Sequence, residues 1–331
     1  DEETEDIDVE EITKIGNKYF DISNFEKALG YYKMAIDKGN YKVIGRYAYA
    51  CKNEGYITND DAIEYCKEAI SKGGSDVMYY YGYFLFMSNN NLEYKDEAIK
   101  YIKKAINKGN SDAMFLYAKL LYKGGFIDSN KPEAIKYFKK AINLKNPDAM
   151  IFYASLLKVG KDIPVNKKEA IKLYKLAAET GNPNAMYEYA KLLSNGDGVE
   201  INQDLDFWYY KMAADKDHKL SMLKCAQMLQ DGIGCKRNPK NAAYYAKTAA
   251  LDLNAAKNLY GQWLFTGRGV PLDEKKGADL IIQSMNNGNT DAMNYYGMML
   301  LNGSYVQADE KEAFSCFMKS IQMKNLKAYT Y

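Results

Sequence analysis

The chain has 331 residues, 47% hydrophobic and 27% charged, with 45 basic against 43 acidic side chains and a formal net charge of +2. That mixture describes a folded chain with apolar mass for a large core, and no apolar run approaches the ~18–20 residues that cross a bilayer, so membrane insertion is not expected. One histidine, His218, and five cysteines without CxxC spacing exclude most metal sites, a disulfide framework and any histidine-based nucleophile scheme not built on His218.

Residues 1–12 read as an acidic segment. Eight of the 43 acids fall within residues 1–11 (Asp1, Glu2, Glu3, Glu5, Asp6, Asp8, Glu10 and Glu11), which leaves 45 bases against 35 acids in the rest. A solvated tail and an acidic docking tail are the two readings of residues 1–8. Along the sequence the basic excess is spread over the whole body, so no nucleic-acid stripe is expected and nucleic acid is not an expected partner.

From residue 13 onward the chain repeats itself every 34 to 36 residues. One column of small residues runs Ala28, Ala62, Ala98, Ala134, Ala170, Asp206, Ala242, Gly277 and Ala313, and a second follows seven residues later, from Ala35 to Ser320. Bulky pairs such as Tyr31–Tyr32 and Tyr137–Phe138 lie between them. Positions 0, +3, +4, +7 and +8 form one stripe on a 3.6-residue period, so each column marks an amphipathic helix. Half a period later Val43, Val77, Ala113, Ala149, Ala185, Ser221, Ala256, Ala292 and Ala328 open a second set, with Tyr or Cys at +4 and Ala or Gly at +5. Small residues at +5 suit helices packed ~8–10 Å apart. Glycine turns separate the helices, as in Lys38-Gly39-Asn40 and Thr180-Gly181-Asn182-Pro183.

The expected fold is therefore all-α: a right-handed α-solenoid of nine antiparallel helical hairpins over residues 13–327, with almost no strand. Ala328 falls 36 residues after Ala292, so residues 328–331 read as the start of a further repeat, and more repeats or a capping helix are expected after residue 331. The G-x-G segments recur between two helices, where a dinucleotide site needs a strand and a helix; they read as turns, and no cofactor is expected.

The loops Asn195-Gly196-Asp197-Gly198-Val199 and Gly267-Arg268-Gly269-Val270, and the helix ends Tyr174-Lys175-Leu176-Ala177-Ala178 and Tyr210-Lys211-Met212-Ala213-Ala214, resemble the Sel-1-like repeat, a relative of the tetratricopeptide repeat. Before residue 76 the match loosens: Asn24-Phe25-Glu26-Lys27-Ala28 looks more like a plain tetratricopeptide unit. The resemblance implies a non-enzymatic scaffold or adaptor that binds protein partners. Its alternatives are the luminal adaptor of a ubiquitin ligase in endoplasmic-reticulum-associated degradation, or the regulatory arm of a larger enzyme such as a kinase. Cysteines read as reduced and buried favour a cytoplasmic setting over the endoplasmic reticulum lumen.

No catalytic or metal residues are expected, which leaves surface. On the helices of the second set, positions +2, +3 and +6 point away from the buried stripe. By analogy with tetratricopeptide solenoids they line the concave face. The candidate partner-binding residues are Tyr80, Tyr83, Leu116, Lys119, Phe152 and Glu188. Packing against neighbouring helices and an apolar partner groove are both open readings of these positions.

Overall fold

The computed structural model describes residues 8–71, 76–88, 93–160 and 162–328, with the side chains of 325–328 left aside. Among these residues it is wholly helical, with eighteen α-helices, one short 3-10 turn and no strand. The helices fall into two compact units, Asp1–Ala185 and Met186–Tyr331.

Unit 1 contains α1 (Val9–Asp21), α2 (Phe25–Asp37), α3 (Ile44–Asn53), α4 (Asn59–Ser71), α5 (Val77–Met87), α6 (Lys95–Asn107), α7 (Ser111–Lys123), α8 (Lys131–Asn143), α9 (Pro147–Val159) and α10 (Lys167–Glu179). The odd helices α1, α5, α7 and α9 each pack most closely on the even helix that follows, while α3 packs about equally on α2 and α4, so the element of structure is the hairpin. Helix α3 also packs on α5, and aromatic rings link α1 to α3 and α7 to α9, whereas no two even helices pack comparably among the described residues. The odd helices are therefore the inner layer of the unit and the even helices the outer layer.

Unit 2 takes most of α11 (Pro183–Asn195), then α12 (Gln203–Ala214), α13 (Lys219–Asp231), α14 (Pro239–Ala249), α15 (Asn254–Thr266), α16 (Glu274–Asn286), α17 (Thr290–Asn302) and α18 (Glu310–Ala328). It follows the same plan, with α15 touching α17. Helix α18 runs on through Ala328, where the column spacing places the start of another unit, and residues 329–331 lie outside the described residues. At the other end α1 begins at Val9, so the last residues of the acidic segment are helical and residues 1–7 lie outside the described residues.

Why these hairpins pack is visible in the small-residue columns. Ala28, Ala62, Ala98, Ala134 and Ala242 are all fully buried, as are Ala118, Ala154 and Ala190 at +5 of the inner helices. Where the column carries glycine the fit is closer still. A Cβ on Gly82 would lie 2.8 Å from Ile102 Cγ1 and 3.0 Å from the Ala98 carbonyl oxygen. Gly160, at the end of α9, has φ 72°, a left-handed conformation that stops the helix without the Cβ penalty of other residues.

Two columns of asparagines, one before the inner helices and one before the outer, close the helix starts. Asn110, Asn130, Asn146, Asn166, Asn202 and Asn289 each accept a backbone N–H three residues on, satisfying donors that would otherwise be orphaned. Such a cap contributes ~1 kcal/mol. Some also stitch hairpins together. Asn146 is 3% exposed; its Oδ1 accepts the Ala149 N–H at 2.8 Å, while its Nδ2 donates to Asp112 at 2.7 Å in the preceding unit.

Candidate functional site

Aromatic residues gather on the inner layer of unit 1. From α1 the Phe20 ring lies 5.6 Å from Tyr49 of α3, and Tyr49 lies 6.0 Å from Tyr80 and 5.8 Å from Tyr83, both on α5. Tyr79 meets Tyr80 edge-on at 4.8 Å. Further along, Phe115 of α7 and Phe152 of α9 are 6.1 Å apart. All of these side chains are half-buried. Spacings of 4.5–7 Å in tilted or edge-to-face arrangements are those that aromatic pairs favour.

Local packing seats this band. Gly45 on α3 makes room for Tyr80: a Cβ there would collide with Tyr80 Cδ2. Burial pushes the Tyr79 phenol well above its ordinary value, with Tyr80 and Asp112 adding to the effect. Burial raises Tyr80 as well, against the opposing pull of Arg46, and raises Tyr83 with help from Tyr49. All three phenols are thus neutral across the physiological range and act as apolar plates that can also donate a hydrogen bond.

At one edge of the band lies a polar cavity of about 380 Å³ whose walls include Asn17, Arg46, Tyr80, Lys108 and Asp112. Arg46 sits 5.3 Å from the Phe20 ring centroid and donates to Asn17 Oδ1 at 3.1 Å. The same oxygen accepts the Tyr32 hydroxyl at 2.9 Å. An arginine fork and amides beside aromatic plates can hold the carbonyls or carboxylates of a polypeptide.

The six residues singled out from the sequence divide. Tyr80, Tyr83 and Phe152 belong to the aromatic band, and Lys119 holds its ammonium 5.3 Å from the Phe115 ring. Leu116 does not belong there: it is 8% exposed and part of the core. Helix α7 is packed by α6 and α8 on its two sides, so its buried arc widens to include +3. Phe152 also serves packing, with Phe138 at 5.0 Å and Tyr122 at 5.8 Å. Glu188, in unit 2, pairs with Lys191 at 2.9 Å on an inner layer more polar than that of unit 1. Sequence reasoning missed Tyr49 and Arg46, although Tyr49 stands at +6, the same column as Tyr83.

His218 takes the asparagine's place in the cap column. Its Nδ1 accepts the Ser221 N–H at 3.2 Å and meets Ser221 Oγ at 2.8 Å, and its ring lies 5.1 Å from Tyr187. Burial lowers its pKa from 6.5 while Glu188 pulls the other way. The folded pKa lies below the unfolded one, so the contribution to stability is fully present above 6.5 and is lost as pH falls. Hydrogen-exchange protection of the Ser221 and Met222 amides is expected to drop between pH 7.5 and 5.5. In His218→Asn, which keeps an acceptor that does not titrate, it should stay level. Equal pH profiles in the two proteins would show that the cap does not depend on the neutral ring.

The Sel1 repeat pattern matches residues 22–40, 75–110, 111–146, 147–182, 183–218, 219–252, 254–289 and 290–325. Among solved structures the chain is similar to c5321, a protective antigen present in uropathogenic Escherichia coli strains displaying an SLR fold, at 23% identity and a TM-score of 0.65. That match covers 80% of this chain and 56% of the other, so this chain spans little more than half of that protein. It is similar too to a Sel1 repeat protein from Oxalobacter formigenes, at 23% identity and a TM-score of 0.64, over 74% of this chain and 99% of that one. No curated protein sequence matches. Likeness at this identity shows the fold; the repeat pattern, present over most of the chain, shows the family. The chain belongs to the Sel1 repeat family.

Proposed function

We propose that this Sel1 repeat protein is a non-enzymatic scaffold in which unit 1 holds a partner polypeptide against the aromatic inner layer around Tyr49, Tyr79, Tyr80, Tyr83 and Phe152. Sel1 repeat proteins are generally protein-interaction scaffolds. The observation that carries the reading is the run of half-buried rings on successive inner helices, bordered by the polar cavity at Arg46. Rigid aromatic plates give up little conformational entropy on binding, and tyrosine is enriched in interaction hot spots. Lys119, beside Phe115, tunes specificity at the edge.

The rest of the chemistry supports a scaffold. The one imidazole is engaged as a helix cap. Burial pushes the Cys225 thiol up to about 12 and the Cys66 thiol further, so neither is a ready nucleophile. Buried thiols also suit a reducing compartment, which favours the cytosol over the endoplasmic reticulum lumen. A partner captured by affinity pull-down and identified by mass spectrometry should lose at least about tenfold in affinity for Tyr83→Ala/Phe152→Ala, corresponding to ~1.4 kcal/mol. Unchanged affinity, with a wild-type circular dichroism spectrum, refutes the aromatic groove.

A further inference from the structure

Lysines that look evenly spread in the sequence are gathered by the fold. Residues 95–108, 131–145 and 167–179, which contain the outer helices α6, α8 and α10, hold 14 lysines against five acids. The outer helix before them, α4, is net acidic, with four acids against one lysine. Because the hairpins repeat in register, Lys103, Lys139 and Lys175 form one exposed column and Lys100, Lys136 and Lys172 another. Like charges three and four residues apart repel along each helix, and the next helix adds its own on the order of one or two Debye lengths away. Lys104, Lys108, Lys140 and Lys145 are exposed and have no ion pair among the described residues. Lys104 and Lys140 lie over the Tyr101 and Tyr137 rings of their own helices, at 4.6 and 5.0 Å.

The opposite charge is within reach. Thr13 of α1 and Lys108 after α6 line the same cavity of about 380 Å³. Asp8 immediately precedes α1, five residues, or ~7.5 Å, before Thr13. The seven residues ahead of Asp8 hold Asp1, Glu2, Glu3, Glu5 and Asp6 and no base. Extended, they span up to ~25 Å, enough to reach Lys104 and Lys108 and the equivalent pair one hairpin further on.

We propose that the basic ends of α6 and α8, marked by Lys104, Lys108, Lys140 and Lys145, form a docking surface for acidic polypeptide, and that residues 1–8 of this chain occupy it. The tail then screens the lysines of its own molecule, and an acidic segment of another protein binds by displacing it. Of the four lysines only Lys108 also lines the cavity beside the aromatic inner layer; Lys104, Lys140 and Lys145 stand on or just after the outer helices, so this surface and the aromatic groove can fail independently.

The test is carboxyl-to-amine zero-length cross-linking of the full chain, read by mass spectrometry on an equal mixture of ¹⁵N-labelled and unlabelled protein. Tail carboxylates should couple within one molecule to these four lysines at least about fivefold more than to the exposed Lys240 and Lys247, and the preference should vanish at high salt. Even coupling over all exposed lysines, or coupling only between molecules, overturns the proposal. A fluorescent peptide of residues 1–8 provides the second reading. It should bind the full chain carrying Glu2→Gln, Glu3→Gln, Glu5→Gln and Asp6→Asn at least about fivefold more tightly than the native chain, because the resident tail no longer competes. Equal binding overturns occupancy by the tail. A phosphodiester oligonucleotide that binds the neutralised chain more tightly than the peptide overturns the choice of acidic polypeptide.

Discussion

Gly277→Ala is expected to destabilise unit 2 by ~2–3 kcal/mol, although alanine is the better helix former by ~1 kcal/mol. Gly277 lies on α16 where it crosses α15. A Cβ there would come within 2.6 Å of the Phe265 nitrogen and 2.7 Å of the Gly261 carbonyl oxygen. Both are backbone atoms of a helix, so neither can swing aside, and the two helices must part along the crossing. Gly30→Ala is the matching control. Gly30 is exposed on α2 and has nothing within 4 Å of its ideal Cβ. There the same substitution should stabilise by roughly 0.5–1 kcal/mol. Urea midpoints measure both, and a Gly277→Ala midpoint equal to or above wild type would show that the crossing is looser than described.

Asp206→Ala should act in the opposite direction, stabilising unit 2 by ~1–3 kcal/mol at neutral pH. Asp206 stands in the column that alanine fills in most other units and is 1% exposed. Its Oδ1 has no hydrogen-bond partner. Burial raises its pKa above 3.8; the Ser194 side chain and the Phe207 N–H oppose that rise, and Asp204 adds to it. With the folded pKa above the unfolded one, the penalty is absent below 3.8, grows as pH rises towards the folded value and is constant beyond it. The stabilisation by alanine should therefore be largest at neutral pH and fade towards pH 3.5. Thermal melts of both proteins at the two pH values check this. A variant less stable than wild type at pH 7 would mean that the Ser194 and Phe207 bonds outweigh the unpaired oxygen.

Hairpins, their phase and their turns were legible in the sequence because a helix announces itself locally. The 3.6-residue stripe, alanine at Ala98 or Ala154 where backbones meet, and glycine at Gly160 where a helix must stop are demands of the chain's own geometry. The asparagine caps were equally local and could have been read from two constant offsets: Asn110, Asn146 and Asn289 stand three residues before the second column set, and Asn130, Asn166 and Asn202 four residues before the first. The tertiary structure decided the rest, since the exposure of a side chain depends on which other helix lies beside it. Leu116 and Lys119 are three residues apart on one helix, and packing by α6 and α8 buries the first while leaving the second at an aromatic edge. Tyr80 is seated by Gly45, 35 residues away in sequence. Lysines separated by 36 residues become neighbours only when hairpins stack in register, so a charge that looks diffuse along the chain is dense on one layer of unit 1. Helical period is a property of consecutive residues; faces are made by residues a whole repeat apart.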